Sequence, residues 1–320
     1  METANQIKMK PLVSVIIPNY NHARYLDERI QSVLNQTFQD FEVIILDDCS
    51  PDDGASRNVI ERYRNNPHVS HIVYNDVNSG SPFKQWHKGI ELAKGDLIWL
   101  AESDDSCDHH LLEKLIRGFE QADTVFSFCR SCIYDTCGRK KKFRNQSVFK
   151  ESFCLPGNEF VSKYLMRHQN VANASSVVFK KGAALAIDKQ YLNMRGPGDW
   201  LFWIELSELG SVSFIDEELN YFRLHDTNTT YKLMKSGVSQ IETLIIFNYL
   251  MAKFQVSWIR KFSLRLSFMS EYQEHKYANE EIRSMVLQRW DPYYFYRLFL
   301  LPPFRVIVFR VIELIEQKQN

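Results

Sequence analysis

Three acidic residues stand within four positions, directly after the apolar segment 97–100: Glu102, Asp104 and Asp105. Carboxylates this close together repel one another unless a cation or solvent separates them. Hard divalent cations such as Mg²⁺ and Mn²⁺ take oxygen ligands, commonly one or two carboxylates together with phosphate oxygens. The cluster therefore indicates a divalent metal site. The alternative is a solvated acidic loop that caps a helix beginning near Asp108.

A second acid pair, Asp47 and Asp48, follows the apolar segment 43–46 in the same way. A carboxylate at this position can accept hydrogen bonds from a base N–H or from ribose hydroxyls, as the acid of dinucleotide-binding folds does. Helix capping through Ser50 and Asp52 is the other interpretation. The two are compatible, because different residues would serve each role.

Two further segments carry side chains suited to a binding site. The segment 18–21 (PNYN) ends the first apolar run, and its polar and aromatic groups could stack on a nucleobase or bond to it. Ordinary turn chemistry accounts for this tetrapeptide equally well. Asp199 opens an amphipathic helix after 196–198 (GPG), a position where an acid is also common for capping reasons alone.

Hydrophobic periodicity predicts the elements that position these residues. Apolar runs at 12–17, 43–46, 69–74 and 97–100 indicate buried strands, and the segments between them have helical spacing. Continuous apolar strands alternating with helices predict an α/β fold with a mostly parallel sheet covered on both faces. Ligands bind at the carboxyl ends of such strands, so we expect the acids to converge on one edge of the sheet.

Beyond residue 120 the periodicity is less regular. It predicts strands at 124–129 and 175–179, a loop or hairpin over 135–150 and a helix over 199–209. The C-terminal part of the chain has helical character.

We therefore expect two domains, at 1–235 and 236–320, the second a helical region. The final segment 293–315 is rich in aromatic and aliphatic residues. No stretch reaches the roughly 18 uncharged apolar residues that a membrane span needs. A helix lying on a membrane surface and a helix packed on the first domain or on a partner are both open.

Composition narrows the partners. Lysine plus arginine number 39 and aspartate plus glutamate number 39, so the net charge is zero. Nucleic-acid binders usually carry a basic excess or stripe, and we expect no nucleic-acid partner. The N-terminal residues lack the apolar core of a signal peptide, and the six cysteines form no complete zinc pattern. We expect reduced thiols and a cytoplasmic location, at most peripheral on the inner face of the plasma membrane.

Several segments, in this order, resemble the family 2 glycosyltransferases. The stretches that carry the resemblance are 13–21 (VSVIIPNYN), 32–37 (SVLNQT), 42–50 (EVIILDDCS), 78–80 (NSG), 95–98 (GDLI), 102–105 (ESDD), 198–203 (GDWLFW) and 221–225 (YFRLH). Residues 80–105 are similar to bacterial surface-polysaccharide and lipopolysaccharide enzymes. The resemblance implies the Rossmann-like GT-A fold and inverting transfer from a nucleoside-diphosphate sugar, expected to be a uridine one. The acceptor would be a hydroxyl of a glycan or of a lipid-linked molecule.

The same resemblance implies roles for individual residues. Asp199 is expected to be the catalytic base, and Asp104 with Asp105 to hold Mn²⁺ or Mg²⁺ on the diphosphate. Glu102 stands where many members have aspartate, which makes Asp104 the principal metal ligand. The residues expected to contact the nucleotide sugar are Pro18, Tyr20, Asn21, Asp47, Asp48, Ser50, Asn78, Lys84, Glu102, Ser103 and His225.

Two other classes of protein remain open on the sequence alone. A nucleotidyltransferase acting on sugar phosphates would share the sheet and the metal. It usually needs a glycine-rich basic loop early in the chain, and residues 18–25 contain no glycine. A non-catalytic carbohydrate-binding protein with a degenerate transferase fold is the second class. The presence of Asp104, Asp105 and Asp199 argues against it.

Overall fold

The computed structural model describes residues 10–141, 148–225, 229–301 and 310. The chain forms two compact units. The first unit comprises 1–193 and 199–226, and the second comprises 194–198 and 227–320. The units divide shortly before the predicted domain boundary at 235.

The first unit is built around a ten-stranded mixed sheet. Its strands are β1 (Val13–Asn19), β2 (Phe41–Asp47), β3 (Val69–Tyr74), β4 (Leu97–Leu100), β5 (Ser106–Cys107), β6 (Thr124–Asp135), β7 (Lys140–Lys141), β8 (Phe153–Pro156), β9 (Val177–Lys180) and β10 (Ser211–Leu224). The order is β3-β2-β1-β4-β9-β6-β10-β5, with β7 on β6 and β8 on β10. The ladders among β1 to β4 and the long β6–β10 ladder are parallel, and antiparallel β9 joins these two parts.

Helices cover both faces of this sheet, as predicted. They are α1 (Ala23–Leu34), α2 (Ala55–Glu61), α3 (Pro82–Leu92), α4 (Leu111–Arg117), α5 (Gly157–Phe160), α6 (Lys181–Ala186) and α7 (Gly198–Ser207). Val13, Val15 and Ile17 belong to the apolar core that contains the buried residues of α1, α2 and α4. Ile16 points to the opposite face, where a Cβ on Gly89 of α3 would lie 2.4 Å from its Cγ2. Alternate residues of β1 therefore pack against the helices on the two faces of the sheet.

The predicted strands are confirmed, with differences at several ends; β2 is longer at both ends than predicted, and β6 continues to Asp135. Strand β1 continues through Pro18 instead of stopping there. Pro18 pairs with Leu46 of β2, whereas the ladder to β4 ends two residues earlier at Ile16. A proline without an N–H is tolerated where one neighbouring ladder has already ended. The strand expected at 175–179 begins at Val177, after a 3₁₀ turn.

The other predictions beyond residue 120 have mixed outcomes. The helix expected over 199–209 is observed as α7, and the antiparallel β6–β7 pair confirms a hairpin after 135. Residues 142–147 lie outside the described ranges.

Strand order defines where a ligand would bind. From β1 the chain runs outward to β2 and β3, and then returns to place β4 on the other side of β1. A reversal of this kind opens a crevice beyond the carboxyl ends of the two central strands. The loops after β1 and β4 carry the segments 20–22 and 101–105, so the predicted acids lie at this crevice.

The second unit is helical, as expected. Its helices are α8 (Thr229–Lys235), α9 (Val238–Lys253), α10 (Trp258–Glu274), α11 (Glu280–Trp290) and α12 (Phe295–Phe299). Its core centres on Trp290, which is fully buried and lies 5.1 Å from the Phe268 ring and 5.6 Å from the Phe247 ring. Among the described helices, none combines the length and the apolar character required to cross a membrane. Most of the predicted terminal helix 293–315 lies outside the described residues.

Candidate active site

The carboxyl ends of β1 and β4 bring two histidines and one carboxylate together. His225, which follows β10, has its Nε2 2.9 Å from Asp104 Oδ2. His22, which precedes α1, has its Nδ1 2.9 Å from Ser103 Oγ. One ligand atom each from His22, Asp104 and His225 lies within 4.8 Å of the others. Imidazole nitrogens and a carboxylate oxygen at such separations form a donor set that fits a divalent metal ion.

Electrostatics keep Asp104 in the form that binds a cation. Burial alone raises the pKa of the Asp104 carboxyl, but the hydrogen bond from His225 and the charge of His22 outweigh it. The net pKa therefore lies below its usual value. Burial lowers the pKa of His22, and the charge of Asp104 offsets this only in part. A neutral imidazole beside an ionised carboxylate is the pairing that metal binding requires.

Glu102 is in a different state from Asp104. Its Oε1 accepts a hydrogen bond of 2.7 Å from Trp86 Nε1. Burial, and then the charge of Asp104, raise the pKa of Glu102 to about 8. The side chain is therefore mostly neutral at pH 7, and the negative charge of the cluster is concentrated on Asp104.

Asp105 is buried and bonded to the protein. Its carboxylate accepts hydrogen bonds from Asn173 Nδ2, from Ser175 Oγ at 2.7 Å and from the Arg223 backbone N–H at 3.1 Å. Burial and the charge of Asp104 raise the pKa of Asp105 to about 7. These contacts link three distant segments of the first unit. They occupy lone pairs that metal binding would need, and the metal role of Asp105 stays a prediction.

A buried arginine lies beneath the acids. Arg29 of α1 is fully buried, and its guanidinium carbon is 5.1 Å from the centroid of the Trp99 ring. Its positive charge lowers the pKa of Glu102 and of Asp105, against the effect of burial. Sequence periodicity places Arg29 on the apolar face of α1 but does not indicate that its charge serves the acid cluster.

The acid pair after β2 lines the neighbouring part of the same edge. Asp47 accepts hydrogen bonds from Asn19 Nδ2 at 2.7 Å and from Ser50 Oγ at 2.6 Å. Since Asn19 is the last residue of β1, this contact ties the ends of β1 and β2 together. Asp48 is buried. It accepts from Asn75, Asn78 and Ser79 in the segment that leads into α3, and from Gln85 in the first turn of that helix.

The remaining predicted donor-binding residues lie around these loops. Pro18 is within β1, and Tyr20 is 45% exposed just beyond it. Asn21 adopts a left-handed backbone conformation with φ of 59°. Lys84 Nζ donates to the Ser79 carbonyl at 3.0 Å, at the start of α3. Their contact with a nucleotide sugar stays a prediction.

Asp199 is linked to the acid cluster through one short segment. Its carboxylate accepts from Gln169 Nε2 at 3.1 Å and from the Trp200 N–H at 2.8 Å. Asn173, four residues after Gln169, donates to Asp105. Four residues span at most about 14 Å, so the segment holds Asp199 and Asp105 in one region of the first unit. Burial raises the pKa of Asp199, the direction that favours proton acceptance.

Sequence reasoning did not select His22. The signal was present, because His22 comes directly after 18–21, the segment predicted to end the first strand. A single histidine in a turn has many uses, and only the fold shows that it approaches Asp104 and His225.

A sheet with a ligand crevice at its strand reversal, lined by carboxylates and imidazoles, defines an α/β enzyme of the nucleotide-binding type. The family described as Glycosyl transferase family 2 matches residues 14–187, more than half of the 320 residues. The chain belongs to this family, and the predicted resemblance is confirmed.

Known proteins agree with this assignment. TuaG of Bacillus subtilis, a glycosyltransferase assigned to teichuronic acid biosynthesis, is 37% identical over 119 residues. That alignment covers 37% of this chain and 46% of TuaG, so the chain spans less than half of that relative.

Two solved structures share the fold. Staphylococcus aureus TarS 1–349 in complex with UDP-GlcNAc has a TM-score of 0.55 at 19% identity, covering 88% of this chain and 71% of that one. The mannosyltransferase PcManGT of Pyrobaculum calidifontis in complex with GDP-Man and Mn²⁺ has a TM-score of 0.52 at 13% identity, covering 94% and 84%. The predicted GT-A fold with C-terminal helices is confirmed.

Proposed function

We propose that this protein is an inverting glycosyltransferase that transfers a sugar from a uridine diphosphate sugar to a hydroxyl of a surface glycan or of its lipid-linked precursor. The observation that carries the proposal is the crevice beyond β1 and β4, where ionised Asp104 lies close to two imidazoles. Family membership supplies the reaction class. The UDP-GlcNAc complex of TarS supports a uridine donor, and the role assigned to TuaG supports a cell-surface acceptor.

The residues present fit a divalent cation. Asp104 and His225 would hold it, with donor diphosphate oxygens completing its coordination. A bound ion would stabilise the negative charge that develops on the leaving diphosphate. The Mn²⁺ in the PcManGT complex is consistent with this assignment.

Asp199 would serve as the general base. Gln169 and the Trp200 N–H hold its carboxylate in a fixed orientation. As an acceptor hydroxyl attacks the anomeric carbon, Asp199 takes up its proton and the diphosphate leaves from the opposite face. Attack and departure on opposite faces invert the anomeric configuration. A positioned base of this kind contributes about 10²–10⁴-fold to the rate.

The test is release of nucleoside diphosphate from a panel of nucleotide sugars with Mn²⁺. The Asp199→Asn variant should lose about 10²–10⁴-fold in turnover, while donor-induced thermal stabilisation persists. Asp96→Asn is the matched control, because the Asp96 side chain is 71% exposed and Asp96 lies before the amino end of β4, at the opposite end of that strand from the acid cluster. Full turnover in Asp199→Asn would remove the base. Release of pyrophosphate in place of nucleoside diphosphate would favour a nucleotidyltransferase.

We also propose that the second unit lies against a membrane surface that carries a lipid-linked acceptor. Trp258 is 76% exposed at the start of α10, and Tyr293 is 89% exposed before α12. Phe262, one turn after Trp258, contacts Phe295 and Phe299, so rings of α10 and α12 form one aromatic cluster. Aromatic side chains partition into the interfacial layer of a bilayer.

Vesicle sedimentation tests the membrane proposal. The doubly substituted variant Trp258→Ser/Tyr293→Ser should pellet less with phosphatidylglycerol vesicles than the wild type does, because it loses exposed aromatic area. Leu185→Ser, which removes an exposed apolar side chain of the first unit, is the control. Equal partitioning of all three proteins would contradict a membrane role for this surface.

A further inference from the structure

His22 has no role in the reaction as outlined from the acid residues alone. It lies three residues after the end of β1 and directly before α1, where its side chain makes no capping hydrogen bond to the helix. Its ring instead turns to the crevice, with its centroid 5.4 Å from that of His225 and nearly perpendicular to it. The contacts that orient the His22 side chain are therefore with residues of the site and not with the first turn of α1.

Ser103 fixes the His22 ring in this orientation. The Ser103 side chain is 1% exposed, between Glu102 and Asp104, and its Oγ lies 2.9 Å from His22 Nδ1. When Nδ1 carries the proton and donates to Ser103, Nε2 presents its lone pair. A hydrogen bond made by the ring nitrogen that does not bind the metal is the usual way in which a protein orients a metal-binding histidine.

The separations are close to those of a coordinated set. The three ligand atoms lie within 4.8 Å of one another. Two ligands at about 2.1 Å from one ion are at most about 4.2 Å apart, so the ligand atoms would need to approach one another by no more than about 0.6 Å to share one ion. Asp104 and His225 are already in contact at 2.9 Å, and His22 would supply the third ligand atom.

We propose that His22 is the third protein ligand of the divalent ion, and that the resulting set of two imidazoles and one carboxylate selects Mn²⁺ over Mg²⁺. The inference rests on the proposed function for the presence of an ion. Mg²⁺ strongly prefers oxygen ligands and retains its waters, whereas imidazole suits the transition metals. Three protein ligands also predict that Mn²⁺ binds before the nucleotide does.

The experiment is an Mn²⁺ titration of the full chain followed by electron paramagnetic resonance, without nucleotide, with Mg²⁺ added as competitor. His22→Ala should weaken Mn²⁺ binding by at least about tenfold and leave the Mg²⁺ affinity near the wild-type value. Electron spin echo modulation should show two imidazole nitrogens on Mn²⁺ in the wild type and one in the variant. His109→Ala is the control, since the His109 side chain is 61% exposed.

The number of imidazole nitrogens bound to Mn²⁺, the nitrogen count, decides whether the inference holds. His22→Gln is the second variant if His22→Ala does not fold, because its amide keeps a polar group beside Ser103 but offers no nitrogen lone pair to a metal. Two imidazole nitrogens in either variant, or unchanged Mn²⁺ affinity, would overturn the inference. Mn²⁺ that binds only after nucleotide is added would also overturn it. Lack of sugar transfer would defeat the proposed function while leaving the nitrogen count intact, so the two failures are distinguishable.

Discussion

Replacing Glu102 with glutamine should change how the stability of the protein depends on pH. The pKa of Glu102 is raised from 4.5 to about 8, first because the side chain is buried and second because Asp104 is charged. The native state therefore binds more protons than the unfolded chain between these two values. The stabilisation is fully present below the unfolded pKa of 4.5 and is lost as the pH rises through 8.

The magnitude follows from the two pKa values. At 1.36 kcal/mol per pKa unit, and allowing for partial ionisation at both ends, raising the pH from 5 to 8 removes about 3–4 kcal/mol of unfolding free energy. Glutamine cannot ionise, and its amide oxygen can still accept the hydrogen bond from Trp86. Glu102→Gln should therefore lose less stability over this interval than the wild type does.

Urea unfolding at pH 5 and pH 8, in the presence of EDTA and without nucleotide, measures the difference. Glu120→Gln is the control, because Glu120 is exposed. Its stability should follow that of the wild type at both pH values. Parallel curves for Glu102→Gln and the wild type would mean that Glu102 ionises normally, and the reasoning about the cluster would be refuted.

Two further predictions concern packing and hydrogen bonding within the first unit. Gly157→Ala should destabilise the protein by about 1–3 kcal/mol or more, because its Cβ would lie 1.7 Å from the Ser207 carbonyl oxygen; Gly182→Ala, with open space at its Cβ, should keep the wild-type melting temperature. Asp105→Ala should cost about 1–3 kcal/mol for each buried donor that finds no replacement partner; equal urea midpoints for this variant and the wild type would show that water replaces the carboxylate.

Hydrophobic runs were sufficient to predict the strands of the parallel half of the sheet. Strands β1 and β2 consist entirely of buried residues. Continuous burial requires mostly apolar side chains, and these apolar runs are what distinguishes the two strands in the sequence. The start of β9 could not be predicted in this way. In the sequence, Ser175 begins the segment 175–179, which predicts a strand. In the structure its hydroxyl donates to Asp105, and this contact favours a turn before the strand begins.

The sequence predicted at which edge of the sheet the site lies, but it did not predict which side chains contact one another there. Acids after apolar strands indicated the edge of the sheet on which Asp47 and Asp104 lie, beyond the carboxyl ends of the parallel strands β2 and β4. Sequence does not distinguish a carboxylate that faces the crevice, such as Asp104, from one that binds the protein, such as Asp105. The difference arises from donors on residues 173–175 and 223, which only the fold brings near.

The hydrogen bond between His225 and Asp104 joins residues 121 positions apart. During translation at about 5–20 residues per second, roughly 6–24 s pass between synthesis of the acid and of its imidazole partner. Strands β1 to β4 can pair on the ribosome in that interval, before the crevice has its second histidine. A nascent chain that terminates ahead of β10 would thus lack both His225 and the strand that pairs with β5, β6 and β8.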